Sequence, residues 1–146
     1  MRVLSCFLLA TLLLTGCGPV LVADDARKRE VVARQHAELW TRGRIEVVDE
    51  LFTEDFLGHF PGAQVEGRAA LKAYVQAQRE KHPDWAESMA YVIVEGNRAA
   101  SRGTVRGVRP GPGRHFEVEQ GSLFEFRGGR IAEQWMFLGL GAPPDA

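Results

Sequence analysis

Residues 114–138 read RHFEVEQGSLFEFR-GG-RIAEQWMFL, and this stretch decides the fold. Two β-rich runs, Arg114–Arg127 and Arg130–Leu138, flank Gly128-Gly129, a pair typical of a tight hairpin turn that needs positive φ. Apolar residues of the first run alternate onto one face, with Gln120 and Ser122 as polar interruptions. The stretch therefore predicts an antiparallel hairpin with one buried face.

Two further strands are predicted just upstream. Met89–Glu95 is β-rich, Gly96-Asn97 is a tight-turn signal, and Arg98–Arg109 forms the next run. The segment Pro110–Gly113 alternates proline with glycine, so it predicts a loop rather than a strand interior. Together the four runs predict an antiparallel meander.

The first half of the chain has helical rather than strand periodicity. An aspartate at Asp24 or Asp25 can cap a first helix, which Gly43 stops. The predicted helices extend to Arg42, over Ile45–Phe52, and from Arg68 to Lys81. Helices followed by strands indicate an α+β domain packed as helices on one face of a sheet.

Composition fits one ordinary globular domain. The chain has 146 residues, 45% of them hydrophobic and 25% charged, with a formal net charge of −1. It contains no strongly basic stretch, which argues against nucleic acid as a partner.

The first residues have the character of an export signal. Arg2 precedes a mostly apolar run, Val3–Leu14, which is shorter than the ~20 residues that a bilayer-spanning helix needs. Leu14-Thr15-Gly16-Cys17 then resembles the lipobox of bacterial lipoproteins, which implies cleavage after Gly16 and lipidation of Cys17. The alternative is a plain secretory signal with an incidental cysteine.

This resemblance predicts the domain boundaries and the location. Residues 1–16 would be the signal peptide, 17–25 a lipidated tether, 26–140 the folded domain and 141–146 a tail. The membrane would be a partner through Cys17. Gly18 stands where an aspartate usually signals inner-membrane retention in enterobacteria, so the outer membrane, facing the periplasm, is favoured over the inner membrane.

The order of motifs in the mature chain resembles SnoaL-like proteins of the nuclear-transport-factor-two-like superfamily. The motifs are Trp40–Gly43, Val48–Phe56, His59, Pro83-Asp84, Val94–Arg98 with Arg102 and Gly107, and Phe124–Trp135, covering Arg27 to Gly139. The resemblance implies a cone: a strongly curved antiparallel sheet and three N-terminal helices that enclose a cavity. The family includes polyketide cyclases, ketosteroid isomerase-like enzymes and members with no known chemistry.

One departure from the family bears on catalysis. Its polyketide cyclases place a catalytic aspartate six residues after the glutamate of a Glu-x-Trp motif. That glutamate is Glu133 here, and Gly139 occupies the aspartate position. The resemblance therefore implies cyclase-like architecture without the cyclase general base.

Glu133 is the first remaining candidate for proton transfer. If position 139 faces the cavity, strand alternation predicts that Glu133, Trp135 and Phe137 also face it, where desolvation would raise a carboxyl pKa. The alternative is a strand-edge glutamate paired with an arginine such as Arg130 or Arg102.

Other polar residues have both functional and structural interpretations. Gln120 and Ser122 either line a ligand cavity or are hydrogen-bonded core residues. His59 is expected at the cavity rim by resemblance, or else packed against backbone, and His36 lies on the apolar face of the first helix. His82 and His115 are expected at loop or strand ends. Asp84 and Arg102 match family positions, and each is either catalytic or part of a structural ion pair.

No cofactor or metal is expected. The histidines lack metal-ligand spacing, there is no glycine-rich phosphate loop, and Cys6 and Cys17 are the only cysteines. The leading hypothesis is a membrane-anchored protein that binds a small hydrophobic ligand. The alternatives are a cofactor-independent lyase or isomerase that uses Glu133, His59 or Asp84, and a non-catalytic homodimeric interaction module.

Overall fold

A computed structural model describes residues 18–109 and 114–139 of the chain. The predicted signal peptide, Cys17, the Pro110–Gly113 loop and the 141–146 tail lie outside these residues. Within the described part, no helix combines the length and apolarity needed to cross a membrane.

Helices precede the meander, as the periodicity predicts. Helix α1 spans Gly18–Arg34 and continues as a π-helical segment, Gln35–Thr41. A 3-10 turn at Ile45–Val47 leads into the short helix α2, Val48–Leu51, and α3 spans Gly67–Lys81.

The segment predicted as a tether, residues 17–25, is helical from Gly18 onward. Asp24 lies inside α1 and pairs with Lys28 one turn later, so neither Asp24 nor Asp25 begins the helix as a cap. Lys28 is buried and also donates to the Gly96 carbonyl at 2.7 Å. These contacts join α1 to the Gly96-Asn97 turn.

Six strands form one curved, unclosed sheet. They are β1 (Phe52–Phe60), β2 (Ala63–Glu66), β3 (Ala86–Glu95), β4 (Arg98–Val108), β5 (His115–Arg127) and β6 (Arg130–Leu138), in the spatial order β2-β1-β6-β5-β4-β3. The predicted α+β class and the β3–β6 meander are confirmed. Gly128 and Gly129 have the positive φ values, 60° and 74°, that the hairpin turn requires.

Two strands were not predicted. Phe52 was assigned to the second helix, but it begins β1, which pairs in parallel with β6 and antiparallel with β2. The polar residues Thr53–Asp55 interrupt the alternation of apolar and polar residues in β1, and buried positions alternate regularly again at Phe56, Gly58 and Phe60. The sheet is therefore antiparallel except at the β1–β6 pair.

The core lies between the helices and one face of the sheet, called the inner face below. The opposite face is called the outer face. Buried side chains come from every helix and from both halves of the sheet, including Val32, Leu39, Trp40, Val48, Leu51, Phe56, Leu71, Val75, Val105, Phe124 and Ile131. The inner-face alternation predicted for β5 is confirmed, with Gln120, Ser122, Phe124 and Phe126 all buried.

Arg79 holds the end of the π-helical segment against α3. Its guanidinium donates to the Trp40 carbonyl at 2.6 Å and to the Thr41 carbonyl at 2.9 Å. Carbonyls at a helix end lack intrahelical partners, so these charge-assisted bonds complete the segment.

Replacing Arg79 with methionine should destabilise the fold. Arg79→Met keeps an apolar stem but leaves two backbone carbonyls without their partner, and we expect a loss of about 2 kcal/mol in the free energy of unfolding. Urea denaturation measures this loss. Lys72→Met, which removes an exposed ion pair with Asp49 from the same helix, is the control and should cost clearly less. Equal effects of the two variants would contradict this role of Arg79.

Candidate functional site

A cavity of about 720 Å³ opens between the helices and the inner face of the sheet. The π-helical segment, α3 and strands β5 and β6 supply most of its wall. The lining residues are Trp40, Pro61, Tyr74, Gln78, His82, Trp85, Arg109, Phe116, Val118, Met136, Leu138 and Gly139. The volume suits a drug-sized ligand.

Aromatic rings make up much of the wall. Trp40 lies 5.9 Å from Trp85 and 6.2 Å from Tyr74 between ring centroids, and Trp85 lies 6.3 Å from Phe116. Gly107 makes room for the Phe116 ring, which lies 3.0 Å from where a Cβ on Gly107 would stand. Large aromatic faces supply apolar contact area, so this wall suits a flat apolar molecule.

A few polar groups interrupt the apolar wall. Burial raises the pKa of the Tyr74 phenol above its ordinary value, so the phenol keeps its proton at neutral pH. His82 Nδ1–H donates to the Val108 carbonyl at 2.7 Å, which fixes its ring at the cavity. The Arg109 guanidinium lies 5.9 Å from the Phe116 centroid, over the ring. His82 was expected only at a loop or strand end, and Arg109 was not singled out as a candidate.

The cavity contains the position at which the family's cyclases carry their aspartate. Gly139 lines it directly, and no aspartate or glutamate is among the described lining residues. The position at which the sequence predicts that the family's catalytic carboxylate is missing therefore lies in the cavity wall.

The prediction that Glu133, Trp135 and Phe137 face the cavity is wrong. The inward positions of β6 are Gln134 and Met136, which are buried, and Leu138, which lines the cavity. Gly139 follows the end of β6 and has a φ of +79°, so it does not continue the strand alternation. Its position in the cavity therefore does not require the side chains two, four and six residues earlier to face the cavity. At the other end of β6, Ala132 is an extra residue opposite β5, and it reverses the inward and outward alternation there.

His59 accompanies Glu133 on the outer face, away from the cavity rim. Its Nε2 is 2.8 Å from Glu133 Oε1, and its ring stacks on Trp135 with centroids 5.1 Å apart. The sequence had suggested Arg130 or Arg102 as the partner of Glu133. Arg130 donates instead to the Glu50 carbonyl at 3.2 Å.

Asp84 and Arg102 make separate contacts outside the cavity lining. Asp84 Oδ1 accepts from the Val108 backbone N–H at 2.9 Å, which ties the end of β4 to the segment before β3. Arg102 forms an exposed ion pair with Glu119. The two residues are therefore not paired with each other, and each has a structural contact of its own.

A buried polar row crosses the inner face behind the aromatic wall. His36 Nδ1–H donates to Glu87 Oε2 at 2.5 Å, and His36 Nε2 is hydrogen-bonded to the Ser101 hydroxyl at 3.2 Å. Glu87 also accepts from Trp85 Nε1–H at 3.1 Å, so the row supports a ring of the cavity wall. The predicted inward position of His36 is confirmed.

Glu87 was not predicted as an inward-facing residue because an irregularity in β3 reverses its orientation. Between Met89 and Tyr91, β3 carries Ala90 as an extra residue opposite β4. Counting back by twos from the inward Val92 and Val94 would place Glu87 on the outer face. The inward His36 was the available signal, since a histidine in an apolar stripe needs polar partners.

The outer face carries a continuous apolar band, defined here as Tyr91, Ile93, Leu123, Trp135 and Phe137. Cross-strand register places Leu123 beside Trp135, and aligns Ile93 with Leu123 through Ala100. Ile93 is 61% exposed and Phe137 is 43% exposed. Large exposed apolar areas of this kind mark interaction surfaces.

Comparison with known proteins agrees with this architecture. A family profile described as SnoaL-like domain matches residues 33–134. No curated protein matches the chain.

Three solved structures show the likeness in fold. A proposed SnoaL-like polyketide cyclase from Jannaschia sp. CCS1 is 25% identical with a TM-score of 0.71, over 82% of this chain and 95% of that one. IdmH, a proposed polyketide cyclase from Streptomyces antibioticus, is 23% identical with a TM-score of 0.67, over 76% and 91% of the two chains. Bal32a, from a soil-derived mobile gene cassette, is 21% identical with a TM-score of 0.71, over 79% and 91%.

The likeness to these three structures agrees with the curved sheet and the covering helices described above. The profile match extends from the end of α1 into β6 and includes most of the cavity wall, whereas Met136, Leu138 and Gly139 lie beyond it. The chain therefore belongs to the SnoaL-like domain family.

Proposed function

We propose that this protein binds a small, flat, hydrophobic ligand in its aromatic cavity without transforming it. The observation that carries the proposal is the cavity lined by Trp40, Tyr74, Trp85 and Phe116 with a glycine, Gly139, at the carboxylate position of the family's cyclases. Ligand sites in proteins are typically concave and mostly apolar, with few polar groups that fix orientation.

A lyase or isomerase function has less support from this geometry. It would need an acid and a base converging in the cavity, and its first candidates were Glu133, His59 and Asp84. Glu133 and His59 pair on the outer face, and Asp84 binds backbone at the end of β4. The polyketide cyclase names of the neighbours describe those proteins, and the general base of that chemistry is absent at Gly139.

Filling the cavity should abolish ligand binding. Val118 lines the cavity, so Val118→Trp places an indole in the ligand's space, and we expect at least a tenfold loss of affinity for naphthalene, the flat apolar probe. Equilibrium dialysis with naphthalene fluorescence measures the affinity. Leu123→Trp adds the same ring to the same strand on the outer face and should leave the affinity unchanged. No binding to the unaltered protein, or equal binding to both variants, would refute the proposal.

We also propose that lipid on Cys17 anchors the protein in the bacterial envelope, at the outer membrane facing the periplasm where two membranes exist. The motif Leu14–Cys17 and the preceding apolar run support this proposal. Several acyl chains on one cysteine anchor firmly, because each buried CH₂ contributes ~0.8 kcal/mol. A tethered binding domain could present its ligand at the membrane surface.

Labelled palmitate should enter the protein only when Cys17 is present. In a bacterial host, Cys17→Ser should lose the label and leave the membrane fraction, whereas Cys6→Ser, within the signal run, should keep both. Retention of label by Cys17→Ser would exclude this site of lipidation.

The outer apolar band supports a further proposal, that two copies of the chain associate through this face. A two-fold interface brings the same patch together on both copies. The band is flanked by the ion pairs Arg98–Glu125 and Arg102–Glu119, so a second copy meets both signs of charge. Such an arrangement gives an apolar centre with a polar rim.

A charge in the middle of the band should separate the copies. We expect Phe137→Glu to change the sedimenting species from dimer to monomer in analytical ultracentrifugation, because a buried unpaired carboxylate is costly. Arg106→Glu, an exposed outer-face residue beyond the band, should leave the dimer intact. A monomeric unaltered protein would rule out the association.

A further inference from the structure

Arg109 differs from its neighbours in the cavity wall. Among the described residues that line the cavity, it is the only arginine, lysine, aspartate or glutamate. Its guanidinium lies over the ring of Phe116, another residue of the wall, 5.9 Å from the ring centroid. A guanidinium stacks on an aromatic ring through its flat face, whereas its N–H groups lie in the plane of the fork. The contact with Phe116 therefore leaves these donors available to a ligand.

The charge of Arg109 is not neutralised within the part of the chain that the structure describes. No ion pair formed by the described residues includes it. Asp84 also lies at the end of β4, but its Oδ1 accepts from the Val108 backbone N–H. Arg79 shows the contrast, because its guanidinium is bound to two backbone carbonyls. Arg109 is therefore the cation that the cavity offers to a ligand.

A second arginine adds positive charge at this end of the sheet. The register of β4 and β5 ends at Val108 and His115, and the Arg109 N–H then donates to the Arg114 carbonyl at 3.0 Å. The two arginines thus lie opposite each other where the strands end. Like charges directly opposite on antiparallel strands destabilise the pair, so a bound anion would offset this repulsion.

We propose that Arg109 binds a carboxylate on the ligand, so that the ligand of the aromatic cavity is an amphipathic aromatic acid. This inference rests on the proposed function and names the ligand class. Arg109 is exposed, so the carboxylate stays in contact with water at the edge of the cavity and avoids the large cost of burying a charge. The flat body of the ligand contacts Trp40, Trp85 and Phe116.

The charge of the cavity wall favours a carboxylate over other ionic groups. A carboxylate has a single charge, and its two oxygens match the guanidinium fork through two parallel hydrogen bonds. A phosphate monoester would bring a second charge that no other described lining residue neutralises. An ammonium group would be repelled by Arg109.

Two nearly isosteric probes test this inference on the intact protein. 2-Naphthoate carries a carboxylate at neutral pH, whereas 2-naphthamide has the same ring system and a neutral amide. At low ionic strength we expect 2-naphthoate to bind about three- to fivefold tighter in equilibrium dialysis, the size expected for a partly exposed ion pair. At about 1 M salt, screening should reduce this preference to less than about twofold.

Two substitutions on β4 and at its end locate the group responsible. Arg109→Gln removes the charge but keeps a polar side chain, and it should reduce the preference for 2-naphthoate to about onefold. Arg106→Gln makes the same change in net charge at an exposed outer-face position and should leave the preference at about three- to fivefold. Circular dichroism checks that both variants are folded.

The outcomes separate this inference from the proposed function. Binding of naphthalene and of both probes with equal affinity would overturn the role of Arg109 and leave the aromatic cavity as a binding site. A preference that survives Arg109→Gln, or that Arg106→Gln removes to the same extent, would overturn it as well. Failure of all three compounds to bind would refute both proposals together.

Discussion

Trp40 is the side chain on which the arrangement of this domain depends. It is almost completely buried, and its ring contacts Phe60 of β1, Tyr74 of α3 and Trp85 beside β3. Its indole N–H donates to Gln35 Oε1 at 3.0 Å, five residues earlier, a spacing that the π-helical segment brings together. Arg79 binds its carbonyl from α3. One residue thus joins the helices to both ends of the sheet and also forms part of the cavity wall.

The two faces of the sheet have different chemistry, and each face supports a different functional proposal. The inner face combines aromatic rings with a buried polar row, whereas the outer face exposes an apolar band between ion pairs. A π-helical segment is uncommon and often found at functional sites; here it carries Gln35, His36 and Trp40 into the core. The proposed ligand binding in the cavity and the proposed association through the outer face therefore use separate residues. Neither requires the other's surface.

Much of the fold could be predicted from local patterns. Helix periodicity placed α3 almost to the residue, and alternation placed the inner face of β5 correctly, because both elements are regular. Prediction failed where the backbone departs from regularity. The extra residue Ala90 reverses the alternation of β3 before Glu87 and has no local sequence signal. The alternation of β6 ends before Gly139, the position from which Glu133 was predicted to face the cavity. β1 was not predicted because three polar residues interrupt its apolar pattern. Its parallel pairing with β6 is a long-range contact, which local patterns cannot predict.

We propose that the aromatic cavity on the inner face, and not the Glu133–His59–Trp135 cluster on the outer face, is the ligand site. The chain has three tryptophans: Trp40 and Trp85 at the cavity and Trp135 on the outer face. Their indole N–H signals can be followed separately by ¹⁵N NMR during a titration with naphthalene. We predict that the Trp40 and Trp85 signals shift with one common saturation curve while the Trp135 signal stays in place. Movement of the Trp135 signal alone would place the ligand on the outer face and contradict a binding site in the cavity.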